Sequence, residues 1–265
     1  MFDLRNYDFA RHNQEVKTVW DTYNLGDPIR VPMIIGTSTR YFIFNNDANP
    51  QNITFEQYIK DPNIMFEYQV MFQDWRCHHI LCDQMMGVPQ EEEGWNVNVD
   101  FQNFYEAAWF GCPIYYIEGN VPDTRPILDD AHKNMLFDKG LPDPFSGIMA
   151  KSKEYYEYFQ EKSKVYNYKG IKARVEGGAG LGTDGPLTVA CNIRGATEFC
   201  TDLVLDPEYA HKLLAYITEA TIRRIQAWRK YLGLETYPKS WGFADDSISL
   251  ISCDMYKEFI LPYHK

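Results

Sequence analysis

Four times along this chain a short apolar run ends in small polar or acidic residues and gives way to a helical pattern. The runs are VPMII at Val31 to Ile35, HHILCD at His78 to Asp83, PLTVACN at Pro186 to Asn192, and WGF at Trp241 to Phe243 leading into Asp245. Short continuous apolar runs suit strands buried on both faces, and strands that alternate with helices close into parallel α/β sheets. The expected fold class is therefore α/β, a (β/α)8 barrel of which these residues hold about the first four βα units. In such barrels the polar groups that follow each strand converge at one end, where the chemistry is carried out.

Helical signals fill the intervals. Residues 1 to 25 place Val16, Val19, Trp20 and Tyr23 on one face, with Gly26 as a stop. Asp61 followed by Pro62, and Asp206 followed by Pro207, are cap and first-turn pairs. After the second pair, Leu213, Ile217, Ala220, Ile225 and Trp228 form a stripe that runs to Gly233. Residues 151 to 166 read as a polar, Tyr-rich helix and residues 194 to 205 as a short one. From 87 to 143 the pattern breaks into short alternating runs dotted with Gly and Pro, which predicts an inserted β-hairpin region. With no repeat and no low-complexity linker, residues 1 to 265 are expected to form a single barrel domain. After the last acidic pair Ser252 caps a helix with Met255, Phe259, Ile260 and Tyr263 at helical spacing, and Pro262 as a kink. No stop signal follows, so the barrel is expected to be incomplete at this end.

Charge and cysteine content narrow the function. Lys and Arg number 26 against 37 Asp and Glu, a formal net charge of −11, and no basic run tracks a phosphate backbone, which argues against a nucleic-acid partner. No leader-like apolar stretch opens the chain and no window reaches roughly 18 uninterrupted apolar residues, so a cytoplasmic protein without a membrane span is expected. The six cysteines, at 77, 82, 112, 191, 200 and 253, lack metal-ligand spacing and read as reduced packing residues. EGGAGLGTDG resembles a phosphate loop but lacks the Lys-Ser/Thr ending and precedes an expected strand, which makes it a flexible rim loop. His78 and His79, adjacent on an expected strand, face opposite ways and do not pair on a metal.

Four segments resemble the uroporphyrinogen decarboxylase superfamily, which includes the decarboxylase and the corrinoid-linked, zinc-dependent methyltransferases: IIGTSTRYF, HHILCDQMMG, GPLTVACNIRG and ADDSISLISCDMYKEFILPYHK. The last is the most specific, with its Asp pair and Tyr-x-x-Phe-x-Leu-Pro-Tyr in order. The resemblance implies that Asp83 matches the aspartate that stabilises a protonated pyrrole, an electrostatic role. It places Arg40 and Tyr41 in the substrate loop, with Gly36 where the decarboxylase has a first arginine. Asn192 stands where the decarboxylase has a tyrosine, and Asp246 where it has a small hydroxyl residue. The catalytic candidates are thus Asp83 and Asp246, and the substrate-binding candidates Gly36, Arg40, Tyr41, Asn192 and Asp245. Strand alternation sends one of the two adjacent aspartates inward, and the alignment favours Asp246.

One positive charge lost and one negative charge gained point away from a substrate with many carboxylates and towards a small methyl donor. The leading expectation is a methyltransferase that moves a methyl group between a small methylated donor or thiol and a corrinoid protein, with zinc held by ligands outside these residues and no metal ligand assigned within them. The alternatives are a uroporphyrinogen decarboxylase with no cofactor, and an inactive or partner-completed half-barrel. A homo-oligomer, or completion by a further chain, is expected in either enzyme reading.

Overall fold

The computed structural model describes Leu4 and residues 7–265. The expected first helix is present as α1, Phe9–Asn24, capped by the Asp8 carboxylate on Arg11 N, with Val16 and Val19 buried; the part of that expectation at positions 1–3 and 5–6 lies outside the described residues. Gly26 follows with φ +80°. After α2, Thr39–Phe44, and α3, Phe55–Lys60, Asp61 accepts from Asn63 N and Ile64 N to open α4, Pro62–His79.

The chain continues through β1, Trp95–Val97; α5, Tyr105–Trp109; the antiparallel pair β2, Ile114–Tyr115, and β3, Asp123–Thr124; and α6, Met135–Lys139. Helix α7, Ile148–Val165, leads to β4, Asn167–Tyr168, and β5, Ile171–Val175. Lys169 and Gly170 both have positive φ, the signature of a tight two-residue hairpin. Strand β5 pairs antiparallel with β4 and parallel with β1, Trp95 opposite Ala173 and Val97 opposite Val175. The order is β1-β5-β4.

Then come α8, Pro186–Arg194; α9, Ala196–Leu205; and α10, Pro207–Tyr231, opened by Asp206 on Tyr209 N and closed near Gly233 at φ +69°. The closing helix is α11, Cys253–Met255, a wider π turn over Tyr256–Ile260, and α12, Leu261–His264. Ser252 caps it as expected, accepting from Met255 N. The kink takes the form of the π turn just before Pro262, whose ring and missing N–H disturb the preceding turn. Among the described residues no helix is long and apolar enough to cross a membrane.

The chain divides into two compact units, Met1–Asn98 with Glu157–Glu176, and Val99–Tyr156 with Gly177–Lys265. The first is built on Phe55, Tyr58, Met65, Phe66 and Val70, all buried. The second packs α8, α9 and α10 around Leu187, Val189, Ile193, Phe199, Leu213, Ile217 and Trp228.

The fold is α/β, but none of the four expected strands is a strand. Val31 to Ile35 is irregular and mostly exposed, Val31 at 71%; Asp83 N donates to the Met33 carbonyl at 2.8 Å, and no strand among the described residues pairs with the run. His78 and His79 form the last turn of α4, each Nδ1 lying 2.7 Å from the carbonyl four residues back, so they do not alternate across a sheet. Pro186 to Asn192 lies within helix α8, which is buried around most of its circumference, and such a helix carries no periodicity to distinguish it from a buried strand. Trp241 and Phe243 are exposed and stack on each other in irregular chain. Within 87 to 143 the hairpin β2–β3 is present, yet β1 joins the parallel pairing with β5 and so is not part of a separate hairpin insertion. The glycine-rich run is packed, not a flexible rim: a Cβ on Gly180 would meet the Trp228 ring at 2.1 Å.

Candidate functional site

In the second unit the carboxylates of Glu106, Asp184, Asp245 and Asp246 gather around the connection from β5 to α8. Its tip, Gly182 to Gly185, is held from two sides. Glu106 on α5, 1% exposed, accepts from Thr183 Oγ1 at 3.0 Å and Asp184 N at 2.6 Å. Arg224 on α10, fully buried, donates Nη2 to Glu106 at 2.7 Å and to the Gly182 carbonyl at 2.5 Å. Its guanidinium lies over the Trp109 ring, 4.9 Å from the centroid. A buried pair of this kind is tolerated because further hydrogen bonds satisfy the carboxylate.

Helix α8 lacks a cap of its own, since its N-cap residue is Gly185. Asp245 takes that place. Its carboxylate accepts from Leu187 N at 3.1 Å, Thr188 N at 2.8 Å and Thr188 Oγ1 at 2.7 Å, meeting the positive helix end. His264 Nε2 lies 3.0 Å from the same carboxylate and, facing a group that only accepts, donates to it. Gly185 has φ +82°, and a Cβ there would meet the Asp245 side chain at 2.5 Å, so the backbone and the close approach both require glycine.

Asp184 differs from its neighbours. Its carboxyl has no hydrogen bond or ion pair among the described residues. Burial, with Glu106 and Asp246 adding like charge, pushes it up to about 6. A carboxyl that titrates close to neutral pH holds or accepts a proton under ordinary conditions.

Of the predicted residues in this unit, Asp245 is buried and Asp246 is exposed, which reverses the expected orientation. The reason is local: no strand forms here, and Asp246 begins a short 3-10 turn while Asp245 is drawn onto the end of α8. Asn192 is half-buried on α8.

The remaining predicted residues belong to the first unit. Asp83 is paired by both terminal nitrogens of Arg30, Nη2 at 2.6 Å, and accepts from Met33 N at 2.7 Å. The guanidinium holds its carboxyl down at about 2. Gly36 lies in open chain, Arg40 is half-buried in the first turn of α2, and exposed Tyr41 rests on Trp75 at 5.4 Å.

Glu106, Asp184, Arg224 and His264 escaped the sequence reading. Arg224 carried a signal, because it falls on the stripe of Leu213, Ile217, Ala220 and Trp228, where a charge implies a buried partner. Asp184 would have stood out had the strand been placed at 171 to 175.

Carboxylates gathered around a strand-to-helix connection stand in the kind of place where α/β enzymes keep their polar groups. The family model for uroporphyrinogen decarboxylase (URO-D) matches residues 97–265, well over half of the chain. The protein belongs to the uroporphyrinogen decarboxylase family. Among solved structures a methyltransferase from Methanosarcina mazei is similar in fold, with a TM-score of 0.54 and 16% identity, covering 94% of this chain and 64% of that one. The chain therefore spans a little less than two thirds of the length of that methyltransferase. No curated protein matches the sequence. The matched segment contains Asp184, Asn192, Asp245 and Asp246, while Gly36, Arg40, Tyr41 and Asp83 precede it.

Proposed function

We propose that this member of the family is a methyltransferase that moves a methyl group between a small methylated donor or thiol and a corrinoid protein. The observation that carries this reading is the set of carboxylates gathered around the β5–α8 connection. There Glu106, Asp184, Asp245 and Asp246 gather, and the guanidinium of Arg224 is bonded to Glu106 and the Gly182 carbonyl. A substrate with many carboxylates needs cationic partners and is repelled here; a neutral thiol is not. Asp184 takes the proton that a thiol loses as its sulfur gains the methyl group, and the electron pair of the broken bond stays with the partner. Asp245 and His264 hold α8 and the loop before it in place. The fold of the Methanosarcina mazei methyltransferase supports the same reading.

The corrinoid partner would supply the methyl-carrying centre. Zinc would activate the thiol in such enzymes, but among the described residues no three His, Cys, Asp or Glu side chains are grouped to hold a metal, so no step here is routed through it. The exposed apolar residues Val31, Met33, Ile34 and Ile35 support association with another copy or a further chain.

The test is loss of methylcobalamin absorbance with 2-mercaptoethanol, run beside carbon dioxide release from uroporphyrinogen. Methyl transfer that falls by about 10²-fold or more in Asp184→Asn is expected. Carbon dioxide release without methyl transfer would overturn the reading.

A further inference from the structure

A cavity of about 330 Å³ lies in the second unit between α10, the start of α8 and the end of α12. On one side Ile217, Thr221 and Ile225 succeed one another at one-turn intervals along α10. Opposite them Trp241 and Phe243 stack at 5.5 Å and 29°, and the edge of His264 meets Phe243 at 4.9 Å. These two aromatic rings are about half exposed even though an apolar cavity lies beside them.

The second observation concerns a hydroxyl. Thr221 is 7% exposed, and its Oγ1 has no hydrogen-bond partner. Thr218, on the same helix and also lining the cavity, donates to the Leu214 carbonyl at 2.8 Å. Helical threonine divides between two rotamers, so Oγ1 turns towards the cavity without strain when a partner arrives there. A buried hydroxyl left unpaired is disfavoured, and a ligand that pairs it relieves that state.

Charge limits the ligand further. Both nitrogens of His264 are engaged, Nε2 with Asp245 and Nδ1 with the Tyr256 hydroxyl at 3.3 Å, so the ring offers only its edge and face. Asp245 behind His264 opposes an anion, and no Asp or Glu lines the cavity to hold a cation. We propose that this cavity binds a neutral, planar molecule of one or two fused rings, its body on the Trp241–Phe243 platform and one O–H or N–H on Thr221 Oγ1. The volume lies at the small end of ligand sites, which suits a molecule of that size.

Indole and 1-methylindole are the probes, since they share a body and differ in the N–H. Calorimetric titration of the whole protein should show saturable binding of both, with indole tighter by about five- to tenfold, the worth of one hydrogen bond. Thr221→Val should bring the two to equal affinity, and Trp241→Ala should weaken both. The proposal fails if neither probe saturates, if Thr221→Val keeps the preference, or if Trp241→Ala leaves both affinities unchanged. It also fails if native mass shows a second copy seated on the cavity, released by Trp241→Ala, with no indole bound.

Discussion

Replacing Asp245 by alanine removes a cap that α8 does not carry itself. The carboxylate accepts from two backbone amides, the Thr188 hydroxyl and His264 Nε2, while Thr188 Oγ1 keeps its bond from Ser247 N at 3.0 Å. Loss of an N-cap costs about 0.5–2 kcal/mol, and each bond to a charged group about 1.5–3 kcal/mol before overlap is removed. The expected loss is about 3–4 kcal/mol, because the four contacts share one carboxylate. For a chain of this size that lowers Tm by about 10 °C. The diagnostic experiment adds Gly185→Ala. In the wild type this substitution strains the backbone, which costs about 1–3 kcal/mol, and also drives a Cβ into the Asp245 side chain at 2.5 Å. With Asp245 already alanine the contacts with Cγ at 2.5 Å and Oδ2 at 2.7 Å are gone, while the contact with Cβ at 2.5 Å and the backbone part remain, so a coupling of about 1 kcal/mol is expected from the double-mutant cycle. Urea unfolding followed by tryptophan fluorescence gives all four corners. Effects that add to within about 0.5 kcal/mol, or a loss below about 1 kcal/mol for Asp245→Ala alone, would refute the assignment of Asp245 as the cap.

Three further outcomes are expected. Asp184 binds its proton more tightly folded than unfolded, so stability falls as pH rises from about 4 to about 6. Asp184→Asn should remove that decline and gain about 1–2 kcal/mol at pH 7 after allowance for partial exposure, read from urea midpoints at several pH values. Asp83 is the opposite case: its depressed value contributes stability above about pH 4 that is lost as pH falls towards 2, so Asp83→Asn should be destabilised at pH 7 and nearly level with the wild type near pH 2. Gly180→Ala, which forces a methyl group into the Trp228 ring, should cost about 1–3 kcal/mol in the same assay; an unchanged midpoint would mean the loop moves aside freely.

What the sequence made legible was local. Asp61 with Pro62, Asp206 with Pro207, and Ser252 each announce a helix start through a side chain that reaches two or three residues ahead, and all three do so in the structure. The misread segments depend on distant partners. Pro186 to Asn192 looked like a strand because α9 and α10 pack against it, bury it on most sides and erase its period. The choice between Asp245 and Asp246 rested on strand alternation, and no strand forms there; what fixes Asp245 is the N-terminus of α8. The family itself was legible from ADDSISLISCDMYKEFILPYHK, since its spacing survives even where the expected secondary structure does not. Arg224 and Glu106 are 118 positions apart, and a pairing at that separation has no local trace.

The cap on α8 also bears on the order in which the protein can be made. Leu187 and Thr188 lie 58 and 57 positions ahead of the aspartate that receives their amides. A chain emerging from its N-terminus therefore presents the Gly-Pro turn and the first turn of α8 before their acceptor exists, and at about 5–20 residues per second the wait is roughly 3–12 s. Early in that interval the loop bearing Asp184 has only contacts upstream of it, such as Glu106, and Arg224 joins them before Asp245 does. The carboxylate connection is thus among the last parts of the second unit to reach its final form.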